Sequence, residues 1–142
     1  MEAVKQLSPF ISVIGQIQPA DMPAVAAQGF VTVINNRPDA EVEDQPSDAQ
    51  MAAAAQAAGL HYHYLPIISG QITDENVKDF SELLTQVKGP VLAFCRSGTR
   101  SCCVWALSQA QRLHSTAILA AAKNAGYDVT GLLPRIEQRW AE

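Results

Sequence analysis

The stretch Val91-Leu92-Ala93-Phe94-Cys95-Arg96-Ser97-Gly98-Thr99-Arg100-Ser101 constrains this chain more than any other. Four apolar residues read as a short buried strand, a polar loop with one glycine follows, and Ser101 to Leu113 reads as a helix. A cysteine therefore stands where a strand ends, and its loop runs straight into a helix N-terminus. Such a junction is a natural anion receptor, because unpaired backbone N–H groups converge there and the helix dipole adds partial positive charge. The same field favours the thiolate, which is the reactive form of a cysteine. Arg100 closes the loop with a planar, permanently charged fork. Cys95 is thus the candidate nucleophile and Arg100 its anion-binding partner, with Arg96, Ser97, Gly98, Thr99 and Ser101 forming the rest of the loop. A cysteine that merely fills a core has no use for two arginines, a glycine and three hydroxyls in the six residues that follow it.

The rest of the chain supplies the scaffold. Phe10 to Ile14, Val31 to Ile34, Leu60 to Pro66 and Val91 to Phe94 read as strands. Helices are expected after Pro19, after Ser47 with Gln50 at the capping-box position, and after Thr73. Further helices are expected over Ser115–Ala125 and Thr130–Trp140, with Leu132, Leu133, Ile136 and Trp140 facing inward and Trp105 in the core. Strands alternating with helices predict an α/β domain, a mostly parallel sheet of about four strands with helices on both faces. With 142 residues and no linker or repeat, residues 1–142 read as one domain.

Ligands of such sheets sit beyond the carboxyl ends of the strands. Three ends then converge: Asn35-Asn36-Arg37-Pro38-Asp39, Ile67-Ile68-Ser69-Gly70, and the Cys95 loop. Asn36, Arg37 and Asp39 are therefore secondary candidates.

A formal net charge of −4 argues against nucleic acid or an anionic membrane as partner, and no stretch approaches a membrane span. The beginning of the chain has no signal-peptide pattern, and three cysteines, two of them adjacent, make no disulfide framework, so a reducing cytoplasm is expected. His61 and His63 share a strand face but lack a third ligand, so no metal and no cofactor are expected.

The loop resembles two families of cysteine enzymes. Protein tyrosine and dual-specificity phosphatases carry His-Cys-x5-Arg-Ser/Thr, and single-domain rhodaneses carry Cys-x4-Arg. Cys95, Gly98, Arg100 and Ser101 match both in type, the spacing is that of the rhodaneses, and Phe94 stands where the phosphatases have histidine. From about Ile11 to Ala110 the chain is similar to the bacterial phosphatase-like domain that occurs alone or fused to a persulfide dioxygenase in the beta-lactamase-hydrolase-like proteins. The resemblance rests on Asn35 to Asp39 and Ala93 to Ser101. It implies a dual-specificity-phosphatase-like fold with a sulfurtransferase-type loop, and a neighbouring persulfide dioxygenase as partner.

Two reactions suit such a loop. In sulfur transfer, Cys95 takes the outer sulfur of thiosulfate or a small persulfide and passes it to a thiol such as glutathione. In phosphate-ester hydrolysis, a cysteinyl phosphate forms and an acid protonates the leaving alcohol. The loop before the preceding helix, Ile67 to Ile72, holds no carboxylate, and Asp39 is the remaining candidate acid. Loop length and the missing acid favour the sulfurtransferase, with the phosphatase as alternative. A non-enzymatic anion or persulfide sensor is a third reading.

Overall fold

A computed structural model describes residues 1–141. Five strands form one sheet: β1 (Lys5–Gln6), β2 (Ile11–Ile14), β3 (Thr32–Asn35), β4 (His61–Tyr64) and β5 (Val91–Phe94), in the order β1-β2-β5-β3-β4. The four longer strands run parallel and β1 pairs antiparallel with β2 at one edge. The expected four-strand parallel sheet is therefore present with a fifth, two-residue edge strand, too short to show a periodicity.

β5 lies at the centre because it is apolar on both faces. Val91, Leu92, Ala93 and Phe94 are all fully buried, as a strand with helices above and below must be. Its pleat sends alternate residues to two separate cores. Val91 and Ala93 join the larger core, built with Val77 and Phe80 of α3 (Asp74–Gln86), Val104 and Leu107 of α4 (Thr99–Ser108), Ile118 of α5 (Ser115–Asn124) and Ile136 of α6 (Leu133–Ala141). Leu92 and Phe94 join the smaller one, with Met22 and Val25 of α1 (Met22–Ala27) and Met51 and Ala55 of α2 (Asp48–Ala57).

Local chemistry sets the helix starts. Ser47 and Gln50 form a reciprocal capping box on α2, and Thr73 and Asn76 form another on α3. α4 begins at Thr99 and ends at Ser108, shorter than the expected run to Leu113, because residues 109–112 close into turns. Trp140 departs from the expectation of a core residue. It is 50% exposed in the last turn of α6, where its ring meets His114 edge-on at a centroid distance of 5.9 Å. No helix among the described residues is long and apolar enough to cross a membrane.

Candidate active site

Parallel neighbours β2, β5 and β3 end in register, Ile14 beside Phe94 beside Asn35, so the residues that follow meet at one place. Cys95 is the first residue beyond β5 and is 1% exposed. The Gly98 N–H points back at its Sγ, at 3.1 Å. The loop is held from outside as well. The Arg96 carbonyl accepts from the Gln16 N–H at 3.1 Å, and the Ser97 carbonyl accepts from the Tyr127 hydroxyl at 3.2 Å.

Asn36 ties the strand ends together. Its N–H donates to the Phe94 carbonyl (2.8 Å), its Nδ2 to the Leu65 carbonyl (3.0 Å), and its carbonyl accepts from Ile67 (3.0 Å). Its Oδ1 accepts from Ser101 Oγ at 2.8 Å, so one side chain links β3, the segment after β4 and the first turn of α4. Ser101 is completely buried here; its hydroxyl is a tie of the scaffold.

Arg37 and Arg100 come together as the convergence of strand ends predicts. Arg37 is 4% exposed and Arg100 7%. The group between them is Glu41, which sequence reasoning missed. Arg100 donates to both Glu41 oxygens, Nη1 to Oε2 at 2.7 Å and Nη2 to Oε1 at 2.9 Å, and Arg37 Nε donates to Oε1 at 2.8 Å. Arg100 Nη1 also reaches the Ile67 carbonyl at 2.8 Å, and Arg37 Nη1 reaches Gln16 Oε1 at 3.0 Å. The Arg100 hydrogen bonds hold the Glu41 carboxyl below its usual range; partial burial opposes this and Arg37 reinforces it. With its folded value lowered, Glu41 contributes its stability above the ordinary carboxylate range and loses it only as pH falls through the lowered value. At neutral pH the triad is complete.

Beside the loop a cleft of about 330 Å³ opens between Ser69, Gly70 and Ile72 on one side and Arg96, Ser97 and Arg100 on the other. A larger hollow of about 550 Å³, lined by Leu119, Lys123 and Val129 among others, lies beside α5, away from the Arg37–Glu41–Arg100 cluster.

Residues 3–112 match the phosphatase-like domain of the Beta-lactamase hydrolase-like proteins. The chain belongs to that family. A Beta-lactamase hydrolase-like protein of Agrobacterium fabrum is 34% identical over 143 residues, which cover 99% of this chain and 33% of that protein. The chain thus spans about a third of this relative's length. A candidate phosphatase of known structure from Neisseria meningitidis is 31% identical, with a TM-score of 0.86 and coverage of 98% of this chain and 99% of that one. The catalytic core of a PP-IP phosphatase from S. cerevisiae, at 13% identity, shares the fold alone, with a TM-score of 0.69 over 96% of this chain and 82% of that one. The fold is that of the cysteine phosphatases.

Within this phosphatase-like domain, Asp39, the remaining candidate acid, sits at a helix start. Its carboxylate accepts from the Asp48 N–H at 2.7 Å, at the start of α2, and its own N–H donates to the Tyr64 hydroxyl at 2.9 Å. It is an exposed residue that fastens a loop to a helix end, the better use of an aspartate beside unpaired N–H groups. The Ile67–Ile72 segment contributes carbonyls and no carboxylate. Ser97 and Thr99 are exposed and hydrogen-bonded to each other at 3.0 Å, and Arg96 is exposed at the rim of the cleft. Among the described residues no group of three His, Cys, Asp or Glu side chains could hold a metal.

Gly98 is the glycine the loop requires. Its φ is +89°, and a Cβ there would collide with the Tyr127 hydroxyl. Gly98→Ala should therefore displace the N–H that faces Cys95 and lower activity on any substrate by roughly 10²-fold, the cost of misplacing a reacting group by about 1 Å. Kinetics of the variant, with circular dichroism to check the fold, test this. Native-like rates would mean that the loop adapts freely.

Proposed function

We propose that this domain is a cysteine-dependent phosphatase for phosphate monoesters with good leaving groups. The observation that carries it is the Gly98 N–H on a buried Cys95 Sγ, beside Arg100, in a domain of the phosphatase-like family. The Cys95 thiolate attacks phosphorus in line with the ester oxygen. An S–P bond forms and the P–O bond breaks. Loop N–H groups and Arg100 take up charge on the phosphoryl oxygens. Water then attacks phosphorus, releasing phosphate and the thiolate. With Asp39 committed to α2 and Glu41 ionised between two arginines, the departing oxygen takes its proton from water. A missing general acid typically costs about 10²–10⁴ in rate, so aryl esters should far outrun alkyl esters.

Sulfur transfer is the second reading, favoured by the same missing acid and by a loop of Cys-x4-Arg length. The Cys95 thiolate would attack the outer sulfur of thiosulfate, forming an S–S bond as sulfite leaves with its electron pair. A thiol such as glutathione would then take the sulfur from the Cys95 persulfide. Neither sulfite nor a low-pKa thiolate needs protonation to depart.

One side-by-side assay with 4-nitrophenyl phosphate, an alkyl phosphate, thiosulfate and glutathione persulfide decides between them. The phosphatase reading expects the aryl phosphate to have the highest kcat/KM. A higher value for either sulfur donor would replace it with the second reading. Anion binding by Cys95 with no turnover of any of the four would leave the domain a sensor.

A further inference from the structure

We propose that Tyr127 is a positioning residue of the active site: from behind the nucleophile loop, its hydroxyl holds the Ser97–Gly98 peptide so that the Gly98 N–H faces Cys95. The inference rests on the reading that Cys95 is the nucleophile.

One peptide group carries it. A trans peptide is planar, and its C=O and N–H point in opposite directions. The Ser97 carbonyl accepts from the Tyr127 hydroxyl at 3.2 Å, and the N–H at the other end of that plane, on Gly98, lies 3.1 Å from Cys95 Sγ. Fixing the carbonyl therefore aims the N–H. The helix does not fix it, because the first backbone bond of α4 runs from the Cys102 N–H to the Gly98 carbonyl, one residue further on. Among the described residues Tyr127 is the only donor to the Ser97 carbonyl. Nor does the backbone hold itself. Turning this peptide over would carry Gly98 from its φ of +89° to the negative side, and glycine adopts both.

The placement of Tyr127 is built by the end of α5. Gly126, with φ of +97°, donates its N–H to the Lys123 carbonyl at 2.9 Å, and the Tyr127 N–H donates to the Ala122 carbonyl at 2.9 Å, the paired bonds of a Schellman motif. The ring packs on the larger core. Burial, with smaller contributions from Cys102, Cys95 and Glu2, pushes the hydroxyl up to about 12, so it remains a donor at neutral pH. Tyr127 lines the hollow beside α5 and not the cleft, and it lies beyond residues 3–112, which carry the family match. A competing role is that of a wedge, in which the ring fills the space against Gly98 and the hydroxyl is incidental.

Tyr127→Phe separates the two roles, since it keeps the ring and deletes the donor. The readouts are kcat on 4-nitrophenyl phosphate and, without turnover, the pH profile of Cys95 alkylation by iodoacetamide. Positioning expects kcat to fall about 5–10-fold, the worth of one hydrogen bond. It also expects the alkylation profile to move to higher pH by about half to one unit, because the thiolate loses an aimed donor. A wedge moves neither. A kcat within twofold of native, or an alkylation profile that superimposes on the native one, overturns the proposal. If native protein turns over only sulfur donors, thiosulfate replaces the aryl phosphate. If it turns over none, the proposed function falls and the alkylation profile alone decides this inference. Should the phenylalanine variant not fold, difluorotyrosine at position 127 keeps the shape and makes the hydroxyl ionise at lower pH. Activity should then be lost as pH rises through that ionisation, and an alkaline limb like the native one overturns the proposal.

Discussion

Cys95→Ser should lower turnover by roughly 10³-fold or more, the scale seen when a covalent nucleophile is removed. The Cys102→Ala, Cys103→Ala double variant should keep most of it. Serine nearly matches cysteine in size, so the core around β5 should tolerate it, but a hydroxyl offers no anionic nucleophile at neutral pH. The other two thiols are poorly placed. Cys102 is fully buried, and desolvation, with smaller contributions from Cys103 and Cys95, pushes its thiol up to about 12. Half-buried Cys103 is raised too, again chiefly by burial. Neither is a ready attacker of an oxidised Cys95. The check is kcat for both variants on an aryl phosphate and on thiosulfate, with a thermal melt beside it. An inactive double variant with an unchanged melt would make a disulfide relay part of the mechanism.

Arg100→Lys should cost about 10²–10³ in kcat/KM, the usual loss for one preorganised donor to a developing oxyanion. Arg100 bonds to both oxygens of Glu41 and to the Ile67 carbonyl, and it also lines the cleft where an anion would sit. Lysine carries its three donors on one nitrogen and cannot serve carboxylate, carbonyl and anion together with parallel bonds. It can still neutralise Glu41, so the domain should fold. Steady-state kinetics and a melt measured on one sample test this. Native-like kinetics would mean that the backbone N–H groups bind the anion unaided.

What could be read from the sequence followed from what is local. Cys95, Gly98 and Arg100 lie in one continuous segment whose period changes from strand to loop to helix, so their proximity needs no tertiary information. Asn36 and Arg37 were reachable by one further step, the rule that parallel strands present their carboxyl ends together. Glu41 was not. It lies in an acidic, exposed-looking run with Glu43 and Asp44, and its partner Arg100 is 59 residues away. Only the path of the loop between β3 and α2 separates the acid that joins two arginines from those that do not. Tyr127 was hidden for the same reason, contacting the loop from beyond α5. Asp39 could be read from the sequence as a turn-forming Pro-Asp or as a candidate acid, and in the fold its carboxylate meets the nearby α2 N-terminus. The extra strand β1 has two residues and depends on its neighbour β2 for existence.

The role of Asn36 has a kinetic consequence. Because its amide and backbone join the end of β5, the segment after β4 and the start of α4, the nucleophile loop cannot detach while the sheet survives. The amides that this joint holds, those of Asn36 and Ile67, should therefore exchange with solvent deuterium only when the whole domain opens, unlike those of most substrate-binding segments, which belong to the least stable parts of a protein. Cys95 itself, buried where β5 ends, then stays as fixed as the core beneath it.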